Sequence, residues 1–311
     1  MAAGGEFVPA REAPKQQNRT RKGPYSLRPK TQDQRPFPMN PALWRKAVSD
    51  AWLQLLASSL ILIAFAWVFL WLMSQIELGV FAKLLKAIPP FLQKLTAIPV
   101  ADLATSNGRA SILFIHVVTL LVCVGWAVGR GSDPISGEIG RGTMDLLASL
   151  PVYRPSLLVP PAVVAAIGTA VLAASVWLGI AMGRATIRIE DLDLGKFLPA
   201  VVNLFSMIFC LSGATAFVSS WSRDRWRTVF IAVGFFLVSF ILEMVGRIWK
   251  HGGWLEYLTF LSQFHPQEFT LLPEKAGWPM IRANAILIGL GLTGYLAAAL
   301  VFWRRDVPMS R

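Results

Sequence analysis

Six long apolar runs set the architecture of this chain. From Ala51 to Ile76 no charged side chain intervenes before Glu77, and Leu, Ile, Phe and Trp dominate. A hydrocarbon core of ~30 Å needs about 20 helical residues at ~1.5 Å each, so the run 51–76 is long enough to cross a bilayer. The same test selects 111–128, 157–182, 197–220, 228–249 and 283–303. Six helices so long and so apolar cannot all be core helices of one soluble domain. The expected fold is all-α, a polytopic membrane protein with six transmembrane helices and both termini on one side. Trp52, Trp126, Trp177, Trp221, Trp226, Trp249, Trp278 and Trp303 fall near the expected span ends, the preference of an interfacial belt.

Residues 1–38 break this pattern. They hold few large apolar side chains and many Pro, Gln, Arg, Lys and Gly, a composition that cannot offset its ordering entropy. They are expected to form a disordered basic tail, and 39–311 the membrane domain. The tail lacks the 7–15-residue apolar core of a secretory signal, so a cytoplasmic tail in a cytoplasmic-membrane protein is expected.

Composition agrees with this reading. Of the 311 residues 54% are hydrophobic and 15% charged, against roughly 25% charged in an ordinary globular domain. A net charge of +12 would suggest nucleic acid in a soluble protein. Here half of it, +6, belongs to residues 1–50, and +2 each to 221–227 and 304–311. Tail and helix-end anchors account for the basicity, and no nucleic-acid partner is implied. Lys and Arg within ~20 residues of the spans number 12 on the tail side and 11 on the other, so the positive-inside bias is nearly silent. The clusters Arg223-Asp224-Arg225-Trp226-Arg227 and Arg304-Arg305 at span ends favour a cytoplasmic tail side.

The loop between the second and third spans carries the most information. It balances three basic against three acidic residues over 129–156. Asp133 can cap a helix that begins at Pro134. Ile135, Ile139, Leu146 and Leu150 recur at helical spacing, and Glu138, Arg141 and Asp145 form a polar stripe on another face. Gly137, Gly140 and Gly142 each cost ~1 kcal/mol relative to Ala in a helix. The pattern therefore predicts a short amphipathic piece, a break at Gly140–Gly142, and a second helix capped by Thr143 and ended by Pro151. An elbow lying at the membrane surface results, which periodicity alone also fits as a simple interfacial helix.

The order of residues adds to that. The run Glu138-Ile-Gly-Arg141-Gly142-Thr143-Met-Asp145-Leu146-Leu147, followed by Leu150-Pro151-Val-Tyr-Arg154, resembles the signature of ATP-binding-cassette (ABC) permeases of the type-2 exporter family, in the loop where that family carries it. Leu261-Ser-Gln-Phe264-His265 and Phe302-Trp-Arg304-Arg305-Asp306 resemble two further family features around the last span. The resemblance covers nearly all of 40–308. It implies an exporter half whose elbow is a coupling helix seated in a groove of a separate ABC ATPase subunit. Leu146, Leu147 and Leu150 would supply packing, Glu138, Arg141 and Asp145 polar register, and Gly142, Thr143, Pro151 and Arg154 the rest of the motif. It also implies a second permease copy or a homologous permease as dimer partner, with ATP and Mg on the ATPase and no cofactor bound by this chain.

Other motifs carry less. No Gly-x4-Gly-Lys-Ser/Thr occurs in the chain, so ATP is expected on a partner. Gly289-x-Gly291-x-x-Gly294 mimics a dinucleotide fingerprint but lies inside an apolar span, where small residues serve close helix approach; Gly179-x-x-x-Gly183 reads the same way. Three ionisable residues within spans are candidate polar contacts. His116 fits either a helix–helix hydrogen bond or a substrate or proton contact, and Glu243 and Arg247, four apart, can pair. Cys123 and Cys210 have no Cys or His at ligand spacing, which disfavours a zinc site. Val80–Leu95 suits an interfacial amphipathic segment in contact with lipid. Two alternatives stay open: a membrane anchor that docks a cytoplasmic complex, and an intramembrane enzyme built from His116, Ser212 and Glu243.

Overall fold

The computed structural model describes residues 41–87, 98–144, 157–187, 191–249 and 251–304, with 1, 89, 146 and 189 as isolated positions. The chain divides into two units, Met1–Pro38 and Met39–Arg311, and every described residue but Met1 belongs to the second. The call of a disordered tail over 1–38 lies outside the described residues.

Six helical stretches are long and apolar enough to cross a membrane: α1 Pro41–Ser74, α2 Ser106–Gly140, α3 Val159–Ile187, α4 Leu194–Trp221, α5 Arg225–Ile248 and α6 Trp278–Arg304. Among the described residues there is no strand. Each stretch contains the run expected from its apolar pattern or lies within a few residues of it, because a bilayer-length run of Leu, Ile, Val and Phe leaves the backbone no other way to satisfy its polar groups in lipid. α1 starts ten residues earlier than the apolar run, since Arg45, Lys46 and Asp50 continue the helix beyond it. In α3 the pair Pro160-Pro161 falls in the first turn, where a missing N–H costs nothing.

α4 is the centre of the bundle. Of its most apolar window 61% is buried within the protein, against 22% for α1, α5 and α6, so the chain itself leaves most of the surface of those three uncovered. Glycine permits the closest approaches. A Cβ on Gly213 of α4 would lie 2.2 Å from the carbonyl oxygen of Gly291 in α6, and one on Gly294 would meet Gly213 at 2.6 Å. On the other side, a Cβ on Gly179 would meet Ala66 of α1 at 2.5 Å and one on Gly183 would meet Leu70 at 2.7 Å. Both glycine motifs therefore serve helix packing, although nothing lies within 4 Å of a Cβ placed on Gly289.

α2 departs most from the sequence reading. It is broken between a 3₁₀ turn over Ile112–Phe114, which ends at Ile115, and the helix Val117–Ser132, which His116 caps. No new helix starts at Pro134. The chain passes from Ser132 through a π turn, Asp133–Gly137, into Glu138–Gly140. A proline inside a helix removes one N–H and crowds the carbonyl four residues back, and the wider π turn accommodates both effects. The turn needs outside partners. Ser136 N–H donates to Ser219 Oγ of α4 at 3.0 Å, and Thr228 Oγ1 of α5 lies 3.1 Å from Ser136 Oγ.

Trp126 also departs from the reading. It is fully buried (0% exposed), its Nε1–H donates to Ala165 O at 3.2 Å, and its ring occupies the space a Cβ on Gly168 would need. It belongs to the core and not to an interfacial belt. Trp52, Trp221, Trp226, Trp249, Trp278 and Trp303 are exposed as a belt requires, and Trp177 is half-buried, donating to Leu194 O at 3.0 Å.

Candidate coupling site

The end of the bundle that holds Pro41 and Arg304 also holds the motif between α2 and α3. Its backbone is set by a C-terminal cap. Thr143 N–H donates to Glu138 O at 3.1 Å and Gly142 N–H to Ile139 O at 3.0 Å. With Gly142 at φ +70°, these two bonds form a Schellman motif. The left-handed conformation explains Gly142, since a Cβ there is strained. The break expected at Gly140–Gly142 is thus centred on Gly142, and Met144 and Leu146 are helical beyond it.

Glu138 faces inward. Its carboxylate, 4% exposed as a residue, accepts from Lys46 Nζ of α1 at 2.6 Å, from Arg141 Nη2 at 2.7 Å, and from the Thr143 hydroxyl. Glu138 and Arg141 thus share a face as their spacing predicts, and Glu138 turns on it toward Lys46 of α1. Asp133 one turn earlier shares Arg141, with Nη1 at 2.8 Å, and gathers two more cations: Arg225 Nη1 at the start of α5 at 3.4 Å and Arg130 Nη2 at 3.7 Å. Two carboxylates thus join α1, α2, the turn after α2, and α5. A buried carboxylate stripped of its cations would be costly, so the arrangement fixes the end of α2 to its neighbours. Lys46 also pairs with Asp50 at 3.0 Å, an exposed pair that contributes little.

Apolar packing fastens the other side. Ile135, Met144 and Phe302 form a buried cluster with Ile139, Leu157 and Leu158 against it, so the motif seats on the beginning of α3 and the end of α6. Leu146 points elsewhere and is 70% exposed. Asp145, Leu147, Leu150, Pro151 and Arg154 lie outside the described residues.

The remaining candidates have separate surroundings. Among the described residues His116 makes no helix–helix hydrogen bond: Nδ1 accepts from Val118 N–H at 3.2 Å, and the ring packs 4.8 Å from Phe65 and 5.6 Å from Phe69. Ser212 Oγ lies 2.7 Å from Tyr295 OH. Glu243 Oε1 accepts from Arg247 Nε at 3.0 Å, the pairing expected from their spacing. His116, Ser212 and Glu243 thus have three unrelated sets of partners. Cys123 and Cys210 are both buried and unpaired with each other.

A second polar cluster, at the opposite end of the bundle, was legible from sequence only in part. Arg247 Nη2 lies 3.2 Å from His265 Nδ1, and Glu268 Oε1 lies 3.3 Å from the same nitrogen. His265 Nε2–H donates to Ser262 O at 2.6 Å, and the His265 N–H donates to Asn203 Oδ1 at 2.9 Å. Asn203 in turn donates to Asn284 Oδ1 at 2.8 Å, tying α4 to α6. Burial pushes the Glu268 carboxyl up, but the contact with His265 and the nearby Lys275 and Arg247 charges outweigh it, holding the group below the usual carboxylate range. Only the Leu-Ser-x-Phe-His run signalled this corner.

Six apolar helices, five of them around a central α4, with their charges at the helix ends, define a multi-pass integral membrane protein. Against known protein families, residues 44–306 match the one described as ABC-2 family transporter protein. The chain belongs to that family and is a transporter permease in class. No curated protein matches it.

Proposed function

We propose that the chain is the permease subunit of an ABC exporter in the cytoplasmic membrane, with both termini cytoplasmic, and that the segment around Leu146 docks on a separate ATPase subunit. ATP and Mg reside on that partner, and a second permease copy or a homologous permease completes the pore. Family membership and the lack of a Walker A sequence in these 311 residues support this reading. The observation that carries it is the position of Glu138 and Asp133. A displacement of the motif by a docked ATPase would be passed by ion pairs to α1 and α5, and by Ile135, Met144 and Phe302 to α6. Such a displacement does work only if the docked contacts differ in free energy between inward- and outward-facing states.

The test is recovery of the tagged full chain in mild detergent, followed by ATPase and transport assays in liposomes. A co-purifying Walker A subunit is expected. Leu146→Asp and Leu147→Asp should each weaken its retention or uncouple hydrolysis from transport by about tenfold or more, since an apolar anchor lost from an interface costs at least ~2 kcal/mol. Membrane insertion should be unchanged. Unchanged transport with normal assembly would refute the coupling role, and absence of any ATPase subunit would favour a membrane anchor.

A further inference from the structure

His265 lies in the connection between α5 and α6, and one of its bonds fixes which ring nitrogen always carries a proton. Nε2 is 2.6 Å from Ser262 O. A carbonyl oxygen only accepts, so Nε2 keeps its hydrogen in either charge state of the ring. Nδ1 stands between two groups of opposite need. Arg247 Nη2, at 3.2 Å, only donates, and the Glu268 carboxylate, with Oε1 at 3.3 Å, only accepts. A neutral ring presents the Nδ1 lone pair and accepts from Arg247. A protonated ring gives Nδ1–H to Glu268 and has nothing with which to receive Arg247. As hydrogen bonds the two contacts exclude each other.

Each state holds different elements together. Arg247 belongs to α5, whereas Glu268 belongs to the helix Pro266–Leu271, which follows His265 directly. The neutral ring therefore ties α5 to the connection, and the protonated ring closes the connection on itself. The connection stays on α4 in both states, because His265 N–H donates to Asn203 Oδ1 and Asn203 Nδ2–H to Gln263 O at 3.0 Å, and neither bond involves the ring. Arg247 keeps Glu243 throughout.

The surroundings permit a change of charge. The His265 side chain is 25% exposed, so water reaches the ring. Among the described residues the charged groups around it are Glu243 and Arg247 from α5, Glu256 from the 3₁₀ turn that packs on Gly246, and Glu268 and Lys275 from its own segment. α4 and α6 contribute the neutral Asn203 and Asn284. The helix Ser106–Ser111, which meets Gln267 through Ser111, turns its Arg109 to Met73 O and Ile76 O. The Glu268 carboxyl lies below the usual carboxylate range and is an anion throughout the interval, about pH 5 to 8, in which histidines change charge.

We propose that His265 is a proton-operated latch on the Arg247 end of α5: the neutral ring holds α5 to the connection, and protonation transfers the Nδ1 bond from Arg247 to Glu268 and frees α5. On the topology proposed above the proton comes from outside the cell. The latch itself does not depend on that topology or on the transport reading.

The test uses the full chain in detergent micelles between about pH 8 and pH 5. Nitrogen-15 NMR of labelled histidine follows the ring, and hydrogen exchange, corrected for its intrinsic pH dependence, follows the amides of 241–248 in α5. The neutral ring should be the Nε2–H tautomer. Exchange at 241–248 should be about tenfold or more faster at the acid end, the scale of one hydrogen bond from a charged donor. Glu268→Gln removes the charge that favours the protonated ring and Arg247→Gln the one that opposes it, so the His265 midpoint should fall in the first and rise in the second. His265→Asn should exchange equally at both ends of the range. A histidine with a merely structural role gives none of these opposed shifts. Exchange at 241–248 that ignores pH in the native chain, pH dependence that survives His265→Asn, or a midpoint unmoved by Glu268→Gln would overturn the proposal. If His265→Asn fails to fold, the native chain and Glu268→Gln decide.

Discussion

Gly213, Gly291 and Gly294 hold α4 and α6 closer than any side chain larger than hydrogen would permit at those positions. In lipid, where apolar surface gains nothing by leaving one hydrocarbon for another, such close packing is a main source of helix association. Gly213→Ala is therefore expected to destabilise the bundle by about 1–3 kcal/mol, the usual cost of overpacking. Gly289→Ala, which meets nothing within 4 Å, should stay neutral or gain up to ~1 kcal/mol of helix propensity. Thermal unfolding in detergent compares the two, and equal losses would show that the glycine pattern does not act through packing. The packing role of this motif was legible because its surroundings are apolar. The buried role of Trp126 was not, because sequence position gives depth in the membrane without saying which way a helix face turns. For Glu138, helical spacing gave the pairing with Arg141 but not the bond to Lys46, 92 residues away, that draws it inward.

At the scale of elements, α2 carries the departures that matter. Runs of apolar residues locate all six spans, since length and hydropathy suffice for that. They do not show where a helix is interrupted, because interruptions are decided by partners from other helices. Pro134 reads as a helix start from its neighbours alone, yet α2 runs through it on the hydroxyls of Ser136, Ser219 and Thr228. Removing Ser219 Oγ should strand the Ser136 N–H, so Ser219→Ala is expected to cost about 1–3 kcal/mol. Ser175→Ala is the control, since Ser175 Oγ donates only to Val171 O of its own helix, and it should cost under ~1 kcal/mol. Denaturant titrations followed by circular dichroism separate the two. Equal midpoints would mean that the π turn does not depend on α4.

For the whole molecule, the arrangement of charge gives the proposed topology a direct check. Arg223 and Tyr257 are exposed beyond opposite ends of α5. If the Pro41 end faces the cytoplasm, a membrane-impermeant maleimide should label Tyr257→Cys in intact cells and Arg223→Cys only after permeabilisation; the reverse pattern would invert the assignment. Lys/Arg counting could not decide this because tightly clustered and scattered charges weigh equally in it.

The burial of Cys123 and Cys210 bears on any such experiment. Both sit within packed, membrane-embedded helices, at 0% and 4% exposure, where a polar, water-borne reagent has no path to the sulfur. The native chain therefore supplies its own silent background: introduced thiols can be read one at a time without first replacing the two natural ones, and the packing they take part in is left undisturbed.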